Sequence, residues 1–405
     1  MKAKHRTLVS LAIAAALGAG AAQAQVSNNV IKIGVLSDMS SLYTDLAGAG
    51  SVVAAKMAVE DSGIEKRGYK VEIVSADHQN KPDVGSAIAR QWYDQDNVDV
   101  IVDTPNSGVA LAVSQITKDK GKAFLASGPG TSDLTGKACS PNTIHWAYDT
   151  WMLANGTGTA ITKNGGDTWF FITADYAFGA ALERDTSAAV TKNGGKVVGG
   201  VKAPLNSQDF SSFLLQAQAS KAKVIGLANA GGDTTNSIKQ AAEFGITKGG
   251  QKLAGLLVFI TDIHALGLPT AQGLTFTETF YWDMNDQTRA FSKRFSAADK
   301  GIHPTMVHAG VYSSLIHYFK AVEALKSDDG TKVIAKMKEM PTDDPLFGKG
   351  SVRPDGRKIH PAYLVQVKTP AESKFPWDYY KIVATIPADQ AFRPLDAGDC
   401  PLVKK

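Results

Sequence analysis

The amino-acid sequence predicts an α/β protein made of two doubly wound, parallel-sheet lobes. Three observations lead there. Apolar, β-rich runs alternate with amphipathic stretches along most of the chain, and the alternation starts afresh after Tyr148. At 405 residues the chain is also too long for one ordinary core and suits two. Strands that alternate with helices pair in parallel and carry helices on both faces.

In the first series, 31–36, 70–75, 98–102 and 123–126 are apolar, β-branched runs that read as strands. Between them, 47–61, 83–94 and 109–118 carry the helical spacing of apolar residues. In the second series, strands are expected at 168–173, 196–201, 224–228 and 253–260, with helices at 177–192, 210–219 and 234–244. Helical stretches follow at 287–298, 307–325 and 331–340. A Pro/Gly/Asp-rich passage then leads to strands at 361–367 and 379–385. The late helices are most simply placed back on the first lobe, so the chain is expected to cross between lobes several times.

In open α/β sheets, ligands bind outside the carboxyl ends of the strands, where helix N-termini offer free N–H groups. Two lobes facing each other form a cleft there, so the loops after each strand are the candidate site. After the third strand stand Thr104, Asn106 and Ser107, and after the fourth Ser127, Gly128, Gly130 and Thr131. Hydroxyls, small residues and bare amides of this kind hold a carboxylate without a formal cation. The same residue types also start helices and fill turns. The second half contributes Tyr176, Phe178, Ala230 and Asp262, while Tyr148 and Trp282 lie at expected crossings. With Tyr43 of the first loop, these aromatics could clamp an apolar ligand body or serve as packing.

Lys2, Lys4 and Arg6 precede an uncharged Leu/Ala run, and Ala22-Gln23-Ala24 makes a small-x-small cleavage site. That is the layout of a secretory signal peptide over 1–24, with mature protein from about Gln25; a retained anchor is the competing reading. No Cys follows the site to be acylated, and the periplasm is the expected compartment. Without those three cations the formal net charge falls from +4 to +1. No basic cluster remains to hold nucleic acid or anionic lipid. Cys139 and Cys400 suit an oxidising compartment as one disulfide stapling the tail, 391–405; two free thiols are the alternative.

Catalytic and metal motifs are missing. There is no HExxH, P-loop, G-x-S-x-G elbow or His/Cys cluster with metal spacing. Gly48-Ala49-Gly50 falls too far past its strand for a dinucleotide fingerprint and lacks the third glycine. No enzyme, cofactor or metal role is expected.

Four segments carry a resemblance: IKIGVLSDMSSLYTDLAG from Ile31, KAFLASGPGTSDLTG from Lys122, TWFFITADYAFG from Thr168 and AKVIGLANAGGDTTNSIKQAAEFGI from Ala222. Together they resemble the type I periplasmic solute-binding proteins of ABC importers, in the leucine/isoleucine/valine-binding branch. The resemblance implies two lobes joined by a three-crossing hinge, of 25–147 with about 279–360 and 148–278 with about 361–390. It implies a small carboxylate-bearing ligand in the cleft, delivered to permease subunits in the inner membrane. Carboxylate-gripping loops would fall on 104–107 and 127–131, a first-loop contact near Tyr43 to Leu46 and an aromatic contact on Tyr176 or Phe178. Where amino-acid binders of the branch hold an ammonium with a Tyr and an acid, this chain has Ala230 and the neighbourhood of Leu257. Burying an ammonium without acceptors is costly. An aromatic or other organic acid is therefore the preferred ligand, with Asp233 or Asp262 as possible substitutes that would restore an amino acid. A sensor subunit using the same cleft is the functional alternative, and a secreted α/β enzyme the remote one.

Overall fold

The computed structural model describes residues 26, 27 and 30–404. The expected signal peptide and its cleavage site lie outside the described residues. The first sheet is parallel and has the order β2-β1-β3-β4-β5. Its strands are β1 (Val30–Ser37), β2 (Lys70–Asp77), β3 (Val100–Asp103), β4 (Ala123–Ala126) and β5 (Thr143–His145). β3 and β4 are buried at every residue, which is why they read as unbroken apolar runs rather than alternating ones. The intervening helices are α1 (Gly48–Ser62), α2 (Pro82–Asp94) and α3 (Ser107–Asp119).

Beyond a short helical stretch, α4 (Thr150–Leu153), a π-turn (Ala154–Gly158) and α5 (Thr159–Lys163), the pattern repeats. β6 (Thr168–Ala174), β7 (Lys196–Ala203), β8 (Val224–Ala228) and β9 (Lys252–Gly255) form a second parallel sheet, ordered β7-β6-β8-β9. Between and after these strands run α6 (Ala177–Lys192), α7 (Ser211–Ala219), α8 (Gly232–Glu243), α9 (Ile260–Leu266) and α10 (Leu268–Ala271). Each sheet changes winding direction once, between β1 and β3 and between β6 and β8. These two switch points, where adjacent loops part to opposite faces, position the site.

β10 (Thr275–Glu278) leaves the second lobe, and α11 (Asp286–Ala298), α12 (Met306–Leu325) and α13 (Gly330–Glu339) return to the first. α12 lies along α1. Its N-cap Thr305 donates to Leu46 O at 2.7 Å, and His308 Nε2 lies 2.8 Å from Ala47 O. A small sheet of β11 (Thr342–Asp344), β12 (Gly348–Val352) and β13 (Lys358–Ile359) precedes the last return. β14 (Ala362–Val367) and β15 (Tyr380–Ile386) then pair antiparallel with β10. The chain thus passes between the sheets three times: between β5 and α4, between β10 and α11, and between β13 and β14. The first and third passes are tied by a bridge between His145 and Arg357.

Cys139 and Cys400 are joined, with Cα atoms 5.6 Å apart, so the tail is held on the loop between β4 and β5. The expected strand 253–260 stops at Gly255. Residues beyond it turn into the cleft and start α9 at Ile260, because an apolar run that lines a cavity has the same pattern as a buried strand.

Candidate functional site

The loops leaving the two switch points meet. From the first lobe and its first crossing, Tyr43, Leu46, Pro105, Gly130 and Tyr148 close one side of a narrow cavity of about 10 Å³. Tyr176, Phe178, Ala230, Leu257 and Phe259 close the other. The lobes touch across it: the Tyr43 and Tyr176 phenol oxygens are 2.5 Å apart. Gly231, at φ 58°, brings the second lobe so close that a Cβ there would stand 2.7 Å from Leu42 O. A Cβ on Gly130 would likewise meet the Phe178 ring at 2.6 Å. Both glycines are required by the close approach of the lobes. A larger hollow of about 700 Å³ lies elsewhere on the second lobe, among Ile161, Leu253, Thr275 and Val383. It sits where β9 and β10 begin, the wrong end of the strands for an α/β ligand site, and of the two the smaller cavity is the one that joins both lobes.

Behind the first-lobe wall lie the polar loops. Asn106 caps α3, its side chain accepting from Gly108 N at 2.9 Å and Val109 N at 3.1 Å. Ser107 Oγ accepts from Thr131 N at 3.2 Å, and Thr131 Oγ1 accepts from Asp133 N at 3.3 Å. Tyr148 donates to Gly128 O. These groups build the loops. Thr104 Oγ1 and Ser127 Oγ, by contrast, are buried and have no hydrogen-bond partner among the described residues. Buried polar atoms are nearly always paired, so these two hydroxyls at neighbouring strand ends are exceptions, and neither lines the cavity itself. Asp103 and Thr104 both lie in the left-handed region, at φ 76° and 66°. Consecutive residues with a Cβ there carry strain of the kind that gathers at ligand clamps.

Burial decides the charge state of the cleft. It holds the Tyr43 and Tyr176 phenols well above their ordinary value. It pushes Asp103, Asp233 and Asp262 up to about 7. For Asp103 the hydrogen bond from Ser37 Oγ, at 2.7 Å, opposes that rise without overcoming it. A carboxyl raised in the folded state binds its proton more tightly there than in the unfolded chain. Its stabilising contribution is therefore complete at low pH and lost as pH rises through about 7. The melting temperature should fall between about pH 4 and pH 7, and less steeply in Asp103→Asn than in the wild type. Parallel pH profiles for the two proteins would show that Asp103 does not titrate in this way.

Of the residues expected from sequence, Tyr43, Gly130, Tyr148, Tyr176, Phe178 and Ala230 line the cavity, and Thr104, Asn106, Ser107, Ser127, Gly128 and Thr131 form the loops behind it. Trp282 does not join them: its Nε1 donates to Trp377 O at 2.9 Å and its ring packs on His303. Asp262 is also not in the lining, and its Oδ2 accepts from Phe259 N at 2.9 Å as a cap of α9. Leu46, Pro105, Leu257 and Phe259 complete the lining: Pro105 falls inside the expected 104–107 loop and Leu257 at the expected ammonium position, while Phe259 was not singled out.

The periplasmic binding protein family matches this chain over residues 30–374. The chain belongs to that family. A periplasmic binding protein from Burkholderia mallei is 51% identical, with a TM-score of 0.90 over 93% of this chain and 100% of the other. A branched chain amino acid ABC transporter periplasmic ligand-binding protein from Burkholderia xenovorans is 42% identical, with a TM-score of 0.81 over 92% and 99%. A solute-binding protein of an ABC transporter from R. palustris, solved in complex with benzoate, shares the fold at 22% identity, with a TM-score of 0.79 over 89% and 97%. As members of a solute-binding family, such chains hold a small molecule between two lobes.

Proposed function

We propose that this periplasmic binding protein captures a small aromatic carboxylate between its lobes and delivers it to the permease subunits of an ABC importer. One observation carries the ligand class. Five aromatic rings, those of Tyr43, Tyr148, Tyr176, Phe178 and Phe259, surround the cavity, and no acid stands in its lining to receive an ammonium. Ala230 and Leu257 occupy the two places where an amino-acid binder would need acceptors. The rings supply the apolar clamp, and the orphan hydroxyls of Thr104 and Ser127 supply donors for the carboxylate. The benzoate-bound neighbour supports this reading by shared fold alone. The protein works in the periplasm after loss of residues 1–24. The lobes are 25–147 with about 279–360, and 148–278 with about 361–390, followed by the tail.

A second reading, a branched-chain amino acid, has one observation in its favour. Asp233 is buried at the start of α8, its Oδ1 has no partner among the described residues, and its charge is felt by both Tyr43 and Tyr176. Calorimetry against benzoates, phenylpropenoates, 2-oxo acids and amino acids separates the two. Binding of a benzoate is expected; binding of leucine with silence from every acid lacking an amino group would reject the aromatic-acid reading. Ser127→Ala should weaken carboxylate binding by about 1.5–3 kcal/mol, because it removes a hydrogen bond to a charged group. Melting of the ligand-free protein should hardly change, since Ser127 Oγ holds nothing else in place.

A further inference from the structure

Immediately after the loop that ends at Thr131, Ser132 and Asp133 are gripped by the opposite lobe. Asp185, on the second-lobe helix α6, is 8% exposed. Its Oδ2 accepts from Ser132 Oγ at 2.7 Å and from Thr150 Oγ1 at 2.6 Å. Its Oδ1 accepts from Arg184 Nε at 2.9 Å. Arg184 then reaches across the gap. Its two terminal nitrogens donate to Ser132 Oγ at 2.8 Å and to Asp133 Oδ1 at 2.9 Å. None of these side chains lines the cavity, so their purpose is not contact with the ligand.

We propose that Arg184 and Asp185 are positioning residues that favour closure of the cleft by clasping Ser132 and Asp133 of the first lobe. The physical case rests on which lobe each group belongs to. Ser132 and Asp133 follow β4 of the first sheet, while Arg184 and Asp185 sit on the helix after β6 of the second. Separation of the lobes there would break the charge-assisted contacts together and return their groups to water. The contacts therefore count toward the closed state and not toward an open one. Asp185 keeps Arg184 aimed, because a carboxylate that accepts on both oxygens holds the guanidinium beside it in one orientation. The Ser132 side chain is fixed by two partners, and Thr131, its neighbour, carries the amide that Ser107 holds. A ligand seated against the 127–131 loop and a second lobe bolted to residue 132 thus draw on the same piece of backbone. Apparent affinity scales with the population of the competent closed form. The clasp therefore sets how much intrinsic affinity the solute can use, without touching the solute.

The inference rests on the cleft being the ligand site, and its test separates the two. The native cysteines are disulfide-bonded and no free cysteine is present among the described residues. Spin labels at Lys66→Cys and Lys202→Cys, one on each lobe, then report the lobe-to-lobe distance. The measurement is made on ligand-free protein and on protein with millimolar 4-hydroxybenzoate. Arg184→Gln should lower the closed-to-open ratio about tenfold, the effect of losing one or two charge-assisted bonds. Arg184→Lys should restore part of it, and Asp133→Asn should mimic Arg184→Gln while adding little to it in the double variant. The affinity for 4-hydroxybenzoate should fall by the same factor as the closed fraction of the ligand-free protein. A distance distribution unmoved by Arg184→Gln would overturn the proposal, as would a wild type that shows no closed form in either condition. A lower melting temperature with unchanged distances would mark the contacts as structural only and likewise overturn it. Failure of 4-hydroxybenzoate to bind, with the ligand-free distances still shifted by Arg184→Gln, would reject the ligand class and leave the clasp standing.

Discussion

Arg357→Ala is expected to lower the folding stability by about 3–5 kcal/mol, the cost of removing one partner of a buried ionic site. The guanidinium is fully buried, at 0% exposure, between the first and third passes of chain joining the lobes. Nη1 donates to Tyr148 O at 2.9 Å, Nη2 to Trp146 O at 2.6 Å and Nε to Lys358 O at 3.0 Å. Asp149 Oδ2 is 3.5 Å away, and the cation lies 4.3 Å from the centre of the Phe392 ring. Burial lowers its pKa to about 10, which leaves it charged at neutral pH. Truncation would leave the Tyr148 and Lys358 carbonyls without this donor and Trp146 O with His360 Nε2 alone at 3.2 Å, one carboxylate without its counter-ion and a cavity the size of the lost side chain. Arg357→Met separates these terms, because it refills much of the volume and restores none of the hydrogen bonds. Denaturant titration at an unchanged m-value measures both variants. A loss below about 1 kcal/mol for Arg357→Ala would mean the hinge carbonyls find water instead, and the cation would lose its structural role.

That arginine was invisible in the sequence. Arg357 lies in a Pro/Gly/Asp-rich passage that reads as solvated loop, and its carbonyl partners at Trp146 and Tyr148 stand more than two hundred residues away. The main strands and helices of both sheets were legible because parallel strands are buried on both faces and their helices on one, so periodicity separates them. β5, β10 and the small β11–β13 sheet are two to five residues long and leave no period to read. The stretch 150–163 is rich in Gly and Thr, poor helix formers, and folds into a helix interrupted by a π-turn under tertiary packing. In the cleft, small and hydroxyl residues at strand ends pointed to the loops that stand behind the cavity, where free amides and close lobe contacts coincide. Aromatics were harder to place. Tyr176 and Trp282 carry the same chemistry, and only the fold shows that one meets Tyr43 while the other packs on Trp377 and His303. Phe259 was hidden for the opposite reason, because it continues an apolar run begun by β9.

Replacing Cys139 and Cys400 by serine should cost about 2–5 kcal/mol of stability and also weaken solute binding. The bond spans 261 residues, so its loss frees a very long loop in the unfolded chain, where the chain-entropy account assigns most of a disulfide's effect. The folded side of the argument concerns the tail. Arg393 donates to Ser132 O at 3.0 Å and is itself held by Arg353, whose Nη1 donates to Arg393 O at 2.7 Å. With the bond intact, the tail braces from behind the same Ser132 that α6 grips from across the gap. Cutting it removes the brace as well as the cross-link, so affinity should drop together with the melting temperature. Both sulfurs belong to nearly buried residues, Cys139 at 7% and Cys400 at 6% exposure. Reductant alone should therefore act slowly, and the serine pair is the cleaner comparison. Calorimetric melting and a benzoate titration on the same samples test the two halves separately. An unchanged melt would remove the entropic argument. A lowered melt with undiminished affinity would show that the tail stabilises the lobe but leaves the 127–131 loop to hold itself.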